Sequence, residues 1–85
     1  MNHPQLEASF STLVLSIASQ GAISMGLAPN PASGKIEKDR EMARLNIDLL
    51  VLLQNKTKNN LTKEESDFLT HLIGDLQLKF VDFKD

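Results

Sequence analysis

The sequence predicts an all-α protein, a three-helix chain that assembles into an oligomeric helical bundle. Apolar side chains recur at helical spacing in three segments, about 9–26, 36–56 and 62–81. The stretches between them are rich in Pro, Gly, Asn and Thr, residues that end helices or seed turns. From Ala8 to Gly34 no side chain is charged, and Glu7 is the one charge before that run. So long an uncharged run needs something to pack against, and 85 residues offer only a small core.

Helix 1, about 9–26, starts near Ser9 or Ser11, whose hydroxyls can accept a bond from a first-turn amide. Phe10, Leu13, Val14, Ile17, Gly21 and Met25 form its apolar stripe. Ala18, Ala22 and Gly26 lie four apart on a neighbouring face and make a small-residue groove for close approach of another helix. Residues 27–34 form a connector, because Pro29 and Pro31 push their preceding residues out of the helical region and Gly34 tolerates a positive φ. Ser33-Gly34-Lys35 invites comparison with a phosphate loop, but Pro29 stands where the first glycine is needed and Ile36 where a Ser or Thr belongs.

Helix 2 is expected over about 36–56. Ile36, Ala43, Ile47, Leu50 and Gln54 share one stripe, while Met42, Leu45, Leu49, Leu52 and Leu53 cover an adjoining arc. With Val51, its second half is apolar almost all round, which predicts burial on more than one side. Its first half alternates in sign through Glu37, Lys38, Asp39, Arg40, Glu41 and Arg44, with Arg44 and Asp48 at pairing distance, and is expected to face water. Lys56 and Lys58 suit the negative end of the helix dipole, and the Asn residues that follow suit a left-handed cap.

Helix 3, about 62–81, opens on a capping box, Thr62 at the N-cap with Glu65 three residues on. Phe68, Leu69, Leu72, Ile73, Leu76, Phe80 and Phe83 point inward, and Gly74 costs roughly 1 kcal/mol against alanine. The whole chain, 1–85, reads as one helical domain, with 1–8 and 82–85 as mobile ends.

Composition excludes several functions. The chain has no cysteine, which removes disulfides, thiolate zinc sites and cysteine nucleophiles. A formal net charge of -2 argues against binding nucleic acid, and with no Trp or Tyr and four Phe a stacking platform for single strands is missing as well. Residues 1–7 include an acid and no cation, unlike a secretory leader, so a cytoplasmic address is expected and the sequons at Asn55 and Asn60 read as coincidence. Residues 10–28 are long enough to span a bilayer, yet Ser11, Thr12, Ser16, Ser19, Gln20 and Ser24 interrupt them in the manner of a soluble helix.

The nearest thing to a chemical site is Asp67, His71 and Asp75, one helical turn apart with Glu64 a turn before. Such a set could hold a divalent cation, but surface helices commonly carry it facing water, and the latter reading is preferred. No serine has an evident base and orienting group, and the paired carboxylates have no apolar pocket to part their pKa values. No catalytic, cofactor-binding or metal residue is therefore assigned, no cofactor is expected, and the chain is read as not an enzyme.

Several segments together resemble a known family. Phe10 to Gln20, Gly34 to Asp39, Ala43, Ile47-Asp48-Leu49-Leu50, Lys56-Thr57 and Asn60-Leu61-Thr62 with Glu65 are similar to the small bacterial proteins grouped as domain of unknown function 1844. The resemblance implies a short, helical, soluble bacterial protein with no assigned activity. Family members often carry Gly where Asn59 stands, and Asn also tolerates a positive φ there.

Three short helices cannot bury two wide apolar arcs and a small-residue groove in one thin bundle, so an intermolecular core is expected. The predicted assembly is a homo-oligomer, a homodimer by preference. Its interface is Phe10, Leu13, Val14, Ile17, Ala18, Gly21, Ala22, Met25, Gly26, Ile47 and Leu50. The function expected is protein–protein interaction, as an adaptor or regulator that can also engage an unidentified protein partner. The alternatives are a peripheral membrane protein using helix 1, which lacks the cations usual beside such a face, and, less favoured, a metal-dependent enzyme around His71.

Overall fold

The computed structural model describes residues 8–83, and among them the fold is three α-helices: α1 (Phe10–Ser24), α2 (Arg40–Lys56) and α3 (Lys63–Val81). Each start is set by a side-chain cap. The Thr12 N–H donates to Ser9 Oγ at 3.1 Å, the Met42 N–H to Asp39 Oδ1 at 3.1 Å, and the Glu65 N–H to Thr62 Oγ1 at 3.1 Å. At α3 the Thr62 N–H also donates to Glu65 Oε1 at 2.9 Å, completing the capping box its sequence announces. Of the expected mobile ends 1–8 and 82–85, residues 1–7, 84 and 85 lie outside the described residues.

Helix α2 begins four residues later than the apolar pattern suggests. Ile36 is outside it and exposed, because Asp39 takes the N-cap and the residues before it are held extended. Met25 and Lys38 form an isolated antiparallel bridge, and the Asp39 N–H donates to the Ser24 carbonyl at 2.8 Å. The 25–38 connector is thus a loop whose two ends meet, the geometry of an Ω-loop. Asn30 organises its tip. Its carbonyl accepts from the Gly34 and Ser33 N–H groups at 2.7 and 3.2 Å, its N–H donates to the Lys35 carbonyl at 2.8 Å, and its Oδ1 accepts from the Ala32 N–H at 2.9 Å.

Gly26 is not part of a helical ladder of small residues. Helix α1 stops at Ser24, and Gly26 adopts φ +76 as the left-handed residue of a Schellman ending. The Leu27 N–H reaches the Ala22 carbonyl at 3.0 Å and the Gly26 N–H the Ile23 carbonyl at 3.0 Å, which satisfies carbonyls the helix end would otherwise leave open. A Cβ at Gly26 would also lie 3.0 Å from Lys38 Cγ, so a larger residue would crowd the Lys38 side chain at the bridge. At the other turn Asn59 carries φ 69, the left-handed conformation expected there.

One core joins the three helices: Val14, Ala18 and Met25, then Ala43, Ile47 and Leu50, then Leu69, Ile73, Leu76 and Phe83. Leu50, Leu69 and Val14 are fully enclosed. Helices α1 and α2 approach closely because Gly21 faces Asn46, with 3.4 Å between Asn46 Cβ and the place a Gly21 Cβ would occupy. Asn46 is the one buried polar side chain among the described residues. It remains satisfied by donating from Nδ2 to its own helix, at the Met42 carbonyl, 2.8 Å.

Phe83, expected from sequence to point inward, is buried in the core. Its ring and that of Phe80 lie 6.0 Å apart, and the Arg40 guanidinium sits 4.9 Å from the Phe80 centroid and 5.5 Å from that of Phe83. Arg40 Nη1 also donates to the Phe83 carbonyl at 3.1 Å. One cation at the start of α2 thus ties down the end of α3, where alternating charge had suggested only a solvated face.

The molecule is a plate measuring 37 × 36 × 16 Å. Packed helices lie about 8–10 Å apart, so its thin direction has room for no more than two layers. Part of each helix is left uncovered.

Candidate interaction surface

One strip of the uncovered surface of α2 is apolar. Met42, Leu45, Leu49 and Leu52 are 45%, 48%, 38% and 49% exposed. At 100° per residue these four fall within about 80° of one another, a single stripe running along the helix. It adjoins the buried stripe of Ala43, Ile47 and Leu50, with Asn46 between. The small Ala43 and the compact Asn46 let α1 approach on one side, at Gly21, and this leaves the longer side chains of the neighbouring arc facing out.

The rims of the stripe are polar and defined. Glu41 precedes Met42 in the first turn, and Lys56 continues the stripe in the last turn. Arg44 and Asp48, both well exposed, form a loose pair at 4.0 Å on one flank. Arg40, the cation of the first turn, is directed toward Phe80 and Phe83 and away from this rim.

The residues expected from sequence to form an interface are spread over buried, half-buried and exposed positions of the single chain. Val14, Ala18, Gly21, Met25, Ile47 and Leu50 are buried within the single chain and have no surface left to offer a second copy. Phe10, Ile17, Ala22 and Gly26 are half-buried, the first two packed against the core, and Leu13 is exposed. The apolar stripe of α1 is therefore largely used internally, while Leu13 and Leu15 of the same helix stay about half exposed. Among the described residues no helix is long and apolar enough to cross a membrane.

Met42, Leu45, Leu49 and Leu52 are exposed and are not among the residues expected from sequence at an interface. Their 3-4-3 spacing was legible as a helical seam. Which of two adjoining apolar arcs turns inward was not, because that depends on the Gly21–Asn46 approach between different helices.

The Asp67, His71 and Asp75 side chains do not converge. Lys63 Nζ lies 3.7 Å from Asp67, Lys79 Nζ donates to Asp75 at 2.6 Å, and His71 Nδ1 lies 3.1 Å from the Asp67 carbonyl within its own helix. No group of three or more His, Asp or Glu side chains able to share a metal ion occurs among the described residues.

A family model described as "Domain of unknown function (DUF1844)" matches residues 7–82. Neither the curated proteins nor the solved structures yield a match to the chain.

Proposed function

The chain belongs to this family of unknown function, and from that premise we propose that it is a self-associating protein–protein interaction module, an adaptor or regulator and not a catalyst. The observation that carries the reading is the exposed stripe Met42, Leu45, Leu49 and Leu52 beside a core that is already complete without it. Four long apolar side chains in one line, with ionic rims, have the layout of an interface centre and its border. Alone in water the stripe is a liability, and a second helix laid along it removes the liability.

The thermal midpoint tests this reading. A protein whose native state gains from self-association melts at a temperature that rises with its concentration. The expected result is a melting curve by circular dichroism that shifts upward over a hundredfold increase in protein. A midpoint that stays constant over that range contradicts the proposal.

A further inference from the structure

We infer that the occupant of the α2 stripe is the same stripe on a second copy of this chain, laid antiparallel about a twofold axis. The inference rests on the self-association proposed above and adds which residues meet and in which direction. The spacing carries it first. Met42, Leu45, Leu49 and Leu52 follow intervals of 3, 4 and 3, a pattern that reads the same from either end. Turned end for end, it places Met42 opposite the partner's Leu52, and Leu45 opposite the partner's Leu49, as a and d positions meet in antiparallel coiled coils. A twofold interface must be self-complementary, and this stripe is.

Charge selects the direction. Lys56 lies on the line of the stripe at the C-terminal end of α2, and Glu41 borders its N-terminal end. Parallel pairing would set Lys56 beside the partner's Lys56 and Glu41 beside the partner's Glu41. Antiparallel pairing brings Lys56 within about a turn of the partner's Glu41, and it opposes the two helix dipoles. Arg40, which would spoil this match, is held over Phe80 and Phe83 by its bond to the Phe83 carbonyl.

The native chain has no cysteine, so introduced thiols report geometry cleanly. Met42→Cys and Leu52→Cys, each prepared as a full-length chain, are oxidised separately and as a mixture. In the antiparallel pair two copies of position 42 are about 15 Å apart along the axis, too far for a disulfide, whereas 42 and 52 are adjacent. A covalent dimer that forms in the mixture and in neither variant alone is expected. Self-linking of each single variant overturns the antiparallel arrangement.

The companion variant is Leu49→Glu, at an exposed position outside the core. It should retain its helical circular dichroism and weaken self-association by about 100-fold or more, since each dimer carries the change twice. A wild-type chain that associates while Leu49→Glu associates equally well overturns the α2 interface and leaves the self-association reading standing. A wild-type chain that stays monomeric overturns both.

Discussion

Gly74 sits inside α3 with open space where a Cβ would stand, so no close approach requires it there. Gly74→Ala is therefore expected to stabilise the fold by about 1 kcal/mol, read as a rise of roughly 4–8 °C in the melting midpoint. An unchanged or lower midpoint would show that the glycine has another role. Asn59 is the opposite case. Its φ of 69 is strained for most residues, so Asn59→Ala should cost about 1 kcal/mol in denaturant titration while Asn59→Gly is tolerated. Arg40 combines one hydrogen bond with contacts to two rings. Arg40→Ala should cost about 1–3 kcal/mol, and Arg40→Lys should recover only part of it, because an ammonium cannot stack as a guanidinium does. The Thr62–Glu65 box and the Asn59 turn were legible because each is specified within four residues. The Arg40–Phe83 bond joins residues 43 apart in sequence, and no local pattern announces it.

At the scale of elements, existence and order were legible for all three helices, since apolar recurrence and capping residues are local properties. The start of α2 was not. Ile36 continues the helical phase of Ala43 and Ile47, but the Met25–Lys38 bridge and the Asp39 cap win, because together they close the connector onto the end of α1. Gly26 was misplaced for a related reason: four-residue spacing looks the same whether the last member ends a helix or continues it, and only its φ distinguishes the two. Helix α2 also offers a sharp contrast between neighbours. Leu50 is fully buried and Leu49 faces out. Leu50→Ala should destabilise the fold by about 2–5 kcal/mol through the cavity it leaves. Leu49→Ala should leave the stability of the dilute monomer within about 0.5 kcal/mol, and weaken self-association instead. Equal losses for the two, measured by chemical denaturation at low protein concentration, would contradict the assignment of their faces.

For the whole molecule, the sequence made a surplus of apolar surface evident and left its location open. The chain's own core takes Val14, Ala18 and Gly21 of α1 and one arc of α2, and the plate, 16 Å thin, leaves the other arc of α2 uncovered. Complete burial of a Leu or Met is worth about 1.5–3 kcal/mol, so a half-exposed one gains about 1 kcal/mol, and eight such side chains across a symmetric pair gain about 8 kcal/mol. That lies within the roughly 4–15 kcal/mol that association costs in lost freedom. The proposed dimer is therefore expected to have a population that depends on concentration. Sedimentation equilibrium of the full chain tests this most directly. The predicted result is a mass that climbs from 9.4 kDa in dilute solution toward twice that value at about 100 µM, with Leu49→Glu remaining at 9.4 kDa throughout. A wild-type mass of 9.4 kDa at every concentration would contradict it.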